Sequence, residues 1–386
     1  MCAQSSGGAI LSNCSADAIA LAAEKLRTGG LVAFPTETVY GLGADASNPE
    51  AVARIYQVKG RPHDHPVIVH LSDANKLDKW ASEIPEYAIT LARNFWPGPM
   101  TLILPRNASV GDFITGGQAS VGIRIPNNPI ALELIKRAGV GVAAPSANRF
   151  GAISPTTALA VQEEIGSYLD SERDVILDGG ASDVGVESTI IECLGKAPKI
   201  LRPGAITKEM IEEVTGLTVD EGASEVRTSG TLEQHYSPKA KVFLLDCENP
   251  VVACIVGVGF LALEKFPTPD GAIRLASPTS NEEYARALYD ALRETVVVAL
   301  VALLPISPAR ADGPANNSAP TISGTLAVGQ ALSIAPGSWT PSPASYTYQW
   351  WSCSSQTIAT CSLISGATCR TSNHWFSVGR NNAFIK

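Results

Sequence analysis

The chain has 386 residues, 45% of them apolar and 17% charged, with a formal net charge of −8. That length accommodates two or three domains with sizeable cores, and the negative balance argues against a protein that coats nucleic acid electrostatically. The opening Met1-Cys2-Ala3-Gln4 has neither a basic start nor an apolar run, so no signal peptide or membrane segment is expected there and the protein is expected to be cytoplasmic.

Residues 15–28 carry Ala18, Ile19, Ala22 and Leu26 at helical spacing, with Ser15 or Asp17 as cap, and Gly29-Gly30 ends the helix. An apolar strand at 31–34 then runs into a turn, Pro35-Thr36-Glu37-Thr38-Val39-Tyr40-Gly41-Leu42-Gly43, crowded with hydroxyls, a carboxylate and glycines. Such a loop offers many donors to a polar ligand and lets its backbone approach closely. The pattern that follows is helix 48–58, strand 66–71, helix 85–95, strands 100–104 and 120–125, helix 128–138 and strand 140–143. It continues with helix 155–165, strands 173–177, 188–193 and 199–201, and helix 207–215. Helices interleaved with short strands predict an α/β or α+β domain.

Residues 219–240 are polar and turn-rich and read as a linker. Strands are predicted at 241–245, 251–256 and near 272–275, with a helix over 280–293, which makes a small domain of 241–294. The run 295–304 is uniformly apolar and is followed by Ala309-Arg310-Ala311, the form of a secretory h-region with a small-x-small cleavage site. It is short for a bilayer span, and 295–311 is set apart as a signal-like segment. From 312 the composition turns to Ser, Thr, Gly, Pro and aromatics. Gly337-Ser338-Trp339 and Tyr346-Thr347-Tyr348-Gln349-Trp350 resemble bacterial immunoglobulin-like repeats, so 312–386 is expected to be a poorly ordered all-β fragment. The juxtaposition reads as two unrelated coding segments joined at 294/295. Cys2, Cys14, Cys193, Cys247 and Cys254 lack metal spacing, as reduced thiols do, whereas Cys353, Cys361 and Cys369 crowd into the tail.

Five islands carry the chemistry. They are the loop at 34–43, Lys59-Gly60-Arg61-Pro62, Val121-Gly122-Ile123-Arg124-Ile125-Pro126, Ala144-Pro145-Ser146-Ala147-Asn148 and Gly185-Val186-Glu187-Ser188-Thr189-Ile190. In this order they resemble the threonylcarbamoyl-AMP synthases, in the long form with an extra C-terminal domain, over residues 15–294. The resemblance implies a YrdC-like catalytic domain at 15–218, built on a large twisted, largely antiparallel sheet with a concave ligand face. It implies a Rossmann-like C-terminal domain, of which 241–294 reads as a truncated part. The implied reaction condenses L-threonine, bicarbonate or CO2, and ATP into threonylcarbamoyl-AMP and pyrophosphate, for the threonylcarbamoyladenosine modification of tRNA.

Read on their own, Lys59 and Arg61 follow a helix in a Gly/Pro-constrained turn, where two cations can hold a triphosphate; any lone pair of this kind is more often solvated. Arg124 lies within an apolar strand and must face a ligand carboxylate or an internal acid. Ser146 and Asn148 offer short polar groups after a strand, or cap the turn. His70 ends an apolar strand, where a histidine is more often structural than a ligand contact. The resemblance adds roles: Lys59, Arg61, Ser146 and Asn148 in catalysis; Arg61, His65, Ser120, Ser146, Ser154, Arg202 and Tyr236 on ATP; Thr38, His70, Arg124, Ala144 and Ser188 on threonine. By the resemblance, Tyr236 matches a linker motif that folds back over the ATP, which would suit a reaction whose carbamate and mixed anhydride are labile in water.

Competing motifs fail. No Walker loop is present, and Gly257-Val258-Gly259 with Ala262 is a weak dinucleotide fingerprint with little room for a helix before Pro267. No Cys/His spacing suggests zinc, so Mg2+ is expected to accompany ATP rather than occupy a protein cage. The alternative reading, a double-stranded RNA-binding or ribosome-maturation factor of the same fold, sits poorly with the net charge of −8. A carbamoyl-transfer domain of the hydrogenase-maturation kind would need an acylphosphatase-like region and zinc-type cysteine pairs. The product would pass to a separate threonylcarbamoyl transferase, so no stable grip on tRNA is expected.

Overall fold

A computed structural model describes residues 9–11, 14–220, 222–228 and 258–294, together with the strands 241–245 and 298–302 and short strands between 315 and 384. Predictions at 251–256 and at Tyr236 lie outside the described residues.

The N-terminal region opens with β1 (Ala9–Leu11) and α1 (Ala16–Arg27), which begins where Ser15 Oγ accepts from the Ala18 amide at 3.2 Å. It continues with β2 (Val32–Phe34), β3 (Gly41–Asp45), α2 (Pro49–Lys59), β4 (Val69–His70), α3 (Glu86–Phe95), β5 (Met100–Pro105) and α4 (Asp112–Thr115). Then come β6 (Ser120–Arg124), α5 (Pro129–Ala138), β7 (Val142–Ala143), α6 (Ala158–Ile165), β8 (Val175–Leu177), β9 (Thr189–Glu192), β10 (Lys199–Arg202) and α7 (Lys208–Thr215). Both α2 and α5 start on an asparagine cap followed by proline, and both stop at a glycine in the left-handed region, Gly60 and Gly139.

The strands form one ten-stranded sheet in the order β1-β8-β2-β3-β7-β4-β6-β5-β9-β10. Five ladders are antiparallel and four parallel, so the sheet is mixed. Period-two alternation splits its side chains between two cores. Val32 and Phe34 pack with Ile19, Leu26, Leu134 and Ile135 of α1 and α5, whereas Leu31 and Ala33 join the cluster that holds α2 and α3. The α2 helix is further tied to the sheet by a forked Arg54–Asp174 pair whose carboxylate is wholly buried and also accepts from the Leu31 amide at 2.8 Å.

The small domain differs from expectation. Its strands β11 (Lys241–Leu245), β12 (Gly259–Leu261) and β13 (Ile273–Ala276) precede α8 (Asn281–Glu294), and β14 (Val298–Ala302) follows. The sheet order is β11-β14-β12-β13, all parallel. The apolar run expected to be signal-like therefore supplies an interior strand, paired on both sides, and the small domain does not stop at 294. Its uniform apolarity is what a parallel strand between two neighbours requires. The tail strands pair antiparallel in sheets of two and three strands. Among the described residues Cys14 and Cys193 are free thiols, and no helix is long and apolar enough to cross a membrane.

Candidate active site

The loop between β2 and β3 is organised from within by Thr36. Its Oγ1 accepts from the Thr38 and Val39 amides at 3.2 Å, donates to the Val39 carbonyl at 2.6 Å and lies 2.8 Å from Thr38 Oγ1. The Leu42 amide on the Pro145 carbonyl, and the Ala147 amide on the Tyr40 carbonyl, each 2.8 Å, zip this loop to 144–148. At Gly43 an added Cβ would lie 2.8 Å from both Phe34 and Val142 side-chain atoms, so close packing fixes the glycine just beyond the loop.

His70 and Arg124 are register partners on β4 and β6, which sets their side chains beside each other. Arg124 Nη2 is 2.7 Å from Glu37 Oε1, and Arg124 Nε donates to the Gly98 carbonyl at 3.3 Å. The internal acid demanded by a strand arginine is thus Glu37. His70 is buried, and burial followed by the Arg124 charge pushes its pKa down to about 3, so its ring is neutral at ordinary pH. Its Nδ1 has no hydrogen-bond partner. Ser188 Oγ lies 2.8 Å from Thr101 Oγ1 on β5.

The other half is cationic. Arg202, at the end of β10, donates to the Ser188 carbonyl through Nε and Nη2 at 3.0 and 2.9 Å, to Ser188 Oγ at 3.0 Å, and pairs with Glu187. Glu187 also accepts from Ser154 Oγ. Arg61 donates to the Pro66 carbonyl at 2.7 Å, and its guanidinium carbon lies 6.0 Å from the centre of the Phe150 ring. Burial lowers the Arg61 pKa from its ordinary value.

Thr38, His70, Arg124, Ala144 and Ser188 line one pocket together with Arg61, Ser146 and Arg202. Eight positions drawn from distant parts of the sequence therefore meet at one surface. Lys59, Asn148, His65, Ser120 and Ser154 stand off that wall. Lys59 is buried and its Nζ donates at 2.6 Å to the carbonyls of both Ser146 and Asn148, while the Asn148 amide donates to the Ala152 carbonyl at 2.7 Å. Both residues shape the 146–152 loop. Burial, reinforced by the Arg61 charge, holds the Lys59 pKa well below the ordinary lysine range. His65 packs edge-on to Phe150 at 5.3 Å, and burial followed by Arg61 lowers its pKa. Ser120 lines a neighbouring hollow with Gln118, Arg227 and Thr228 of the linker.

Two carboxylates of the islands gain a role that the sequence reading does not assign them. Glu37 and Glu187 are both nearly buried and each meets an arginine of the site. The signal was the arginines: a cation in an apolar strand needs a buried counter-charge, and only a carboxylate of a neighbouring island supplies one. Among the described residues no group of three His, Cys, Asp or Glu side chains is arranged to hold a metal ion. Glu187 itself is engaged by Ser154 and Arg202.

A family profile described as "Telomere recombination" matches residues 24–204, and one described as "Threonylcarbamoyl-AMP synthase, C-terminal domain" matches 206–309. The second match runs past 294 and includes β14, in agreement with the sheet. The threonylcarbamoyl-AMP synthase of Bacillus subtilis is 41% identical over 292 residues, 71% of this chain and 83% of that protein. That of Pyrococcus abyssi is 44% identical over 234 residues, 59% of this chain and 68% of the relative. The solved structure of Pyrococcus abyssi Sua5 complexed with L-threonine superposes with a TM-score of 0.66 at 35% identity, covering 77% of this chain and 92% of that one. The chain belongs to the threonylcarbamoyl-AMP synthase family, as a long form carrying both domains of a nucleotidyltransferase-type enzyme.

Proposed function

We propose that L-threonine and the triphosphate of ATP occupy the two halves of the pocket, with the threonine carboxylate on Arg124 and the phosphates facing Arg61 and Arg202. The observation that carries this reading is the continuity of the pocket wall, which runs from the Thr38–His70–Arg124 side to the Arg61–Ser146–Arg202 side. The threonine amine, once deprotonated, takes up CO2 from bicarbonate. The carbamate oxygen then attacks the α-phosphorus of ATP, a P–O bond forms, and the bond to pyrophosphate breaks with its electrons on the leaving group. No covalent enzyme intermediate is needed, so the residues act by holding the reactants in line and by neutralising phosphate charge.

Within this scheme Arg61, with Arg202, stabilises the charge that moves onto the leaving phosphates. Ser146 offers its hydroxyl at the junction of the two halves, and Lys59 and Asn148 keep the 146–152 loop in place. His65, Ser120 and Ser154 are the proposed outer contacts to the nucleotide, and Tyr236 the linker residue that closes over it. Magnesium arrives with ATP, held by the phosphates. The labile product passes to a separate transferase acting on tRNA in the cytoplasm. The RNA-binding alternative is not favoured, because the relatives at 40–44% identity are synthases.

The test is substrate dependence. The full chain is expected to release pyrophosphate from ATP only when threonine and bicarbonate are both present, since neither alone makes the nucleophile. Equal release without threonine would sink the reading.

A further inference from the structure

The α8 helix of the small domain lies against the loops that carry Ser154 and Glu187. Asp290 accepts from Thr156 Oγ1, and Arg293 donates through Nη2 to the Ile153 carbonyl while its Nη1 sits 3.5 Å from Glu164. The short stretch between Ile153 and Thr156 is therefore pinned at both ends by one helix. Ser154, fully buried, lies between the pins and donates to Glu187.

The same helix also holds the loop that delivers Glu187. Arg286 Nε donates to the Asp183 carbonyl at 2.7 Å. Gly185, with φ +74°, passes so close to the helix that an added Cβ would lie 2.4 Å from Arg286 Cα. The two loops are joined by the Ser182 amide on the Thr156 carbonyl at 2.9 Å. Between them, Tyr289 packs with Ile153 and Val39, and Val39 itself lines the pocket. Apart from those to Glu164 and Val39, these contacts end on a backbone or side-chain group within a few residues of Ser154 or Glu187.

We propose that Arg286, Asp290 and Arg293 of α8 are positioning residues for ATP, which fix the Ser154–Glu187–Arg202 chain and so set where Arg202 presents its charge to the phosphates. This rests on the placement of the nucleotide at Ser154 and Arg202. A carboxylate beside a phosphate site is tolerable only if its charge is committed to a partner, and Glu187 keeps that commitment while the two loops stay in register. Small displacements at such a site are costly to rate. The small domain thereby takes part in substrate binding through its helix, without contributing a group that touches substrate.

The experiment measures KM for ATP and for threonine in the full chain, comparing Asp290→Ala, Asp290→Asn and Thr156→Val with Ser154→Ala. Asp290→Ala and Thr156→Val are expected to raise the ATP KM about tenfold, the loss of one partly buried hydrogen bond to a carboxylate, with the threonine KM within about twofold of the parent. Asp290→Asn keeps an oxygen acceptor for Thr156 and is expected to restore the ATP KM. Combining Asp290→Ala with Thr156→Val is expected to add little, because the two remove the same bond; this pair also keeps the test open if one single variant folds poorly. A raised ATP KM in Ser154→Ala with none in the α8 and Thr156 variants overturns the inference alone. An unchanged ATP KM in Ser154→Ala overturns the nucleotide placement and the inference with it. Equal losses for both substrates, accompanied by a lower melting temperature and no recovery in Asp290→Asn, would assign α8 a purely structural part and likewise overturn it.

Discussion

Arg124 and Glu37 approach to 2.7 Å between Nη2 and Oε1, both nearly buried, yet neither Glu37 oxygen nor Arg124 Nη2 makes a well-formed hydrogen bond. The pair is held by charge, and the guanidinium keeps donor capacity toward the pocket it lines. Removing one partner of a buried pair strands the other, at a cost of about 3–5 kcal/mol. Glu37→Gln is therefore expected to lower the melting temperature by several degrees. If the threonine carboxylate sits on Arg124 as proposed, it would supply the missing negative charge, and added threonine is expected to raise the melting temperature more in Glu37→Gln than in the parent. Equal ligand-induced shifts would place the threonine carboxylate away from Arg124.

On the proposed placement the two arginines, Arg61 and Arg124, divide the substrates. Arg61→Ala is expected to weaken ATP binding and Arg124→Ala to weaken threonine binding, each by roughly ten- to a hundredfold, the range for a charge-assisted contact. Titration calorimetry of each ligand against each variant reads this directly. The reversed pattern would overturn the placement.

His70 gives stability a pH dependence of definite sign. Its pKa is about 3 in the folded chain, against about 6.5 for an unperturbed histidine. Between those values the unfolded chain binds a proton that the folded chain refuses. The stabilisation is complete above the unfolded value and is lost as pH falls toward the folded one, with a slope of up to about 1.4 kcal/mol per pH unit. His70→Gln is expected to flatten the urea-midpoint profile over that window. An unchanged slope would mean that the imidazole charges in place.

Where the chain is cut decides the fate of the small domain. Truncation after 309 leaves both family matches whole and is expected to preserve activity. Truncation after Glu294 removes β14, which pairs with β11 on one side and β12 on the other. That cut exposes two strand edges, loosens the domain that carries α8, and is expected to raise the ATP KM. Identical kinetics for the two truncations would show that β14 supports nothing at the site.

Helices with clear caps and apolar spacing, such as α1, α2 and α5, were legible in the sequence to within a residue or two, because local signals define them. The islands were legible as well, through their crowding of polar groups on short turns. The run that becomes β14 was not. Its uniform apolarity fits a doubly covered parallel strand and a secretory segment equally, and only its partners, more than 35 residues away in β12 and more than 50 in β11, decide between them. The same holds for Asp290 and Arg293, whose polar partners Thr156 and Ile153 lie over a hundred residues earlier.

β4 is only two residues long, and it is paired on both sides, to β6 and to β7. Its histidine is further braced by Phe34, edge-on at 6.2 Å between ring centres. With threonine seated as proposed, its hydroxyl would face the His70 side of the pocket and its methyl the apolar wall of Val39, Ile68 and Ala144. Such a wall forgives a missing methyl far more readily than a hydrogen-bonding site forgives a missing hydroxyl. On that placement valine would be rejected steeply and serine only shallowly, and the fidelity of the product would follow the ratio of free serine to free threonine in the cell.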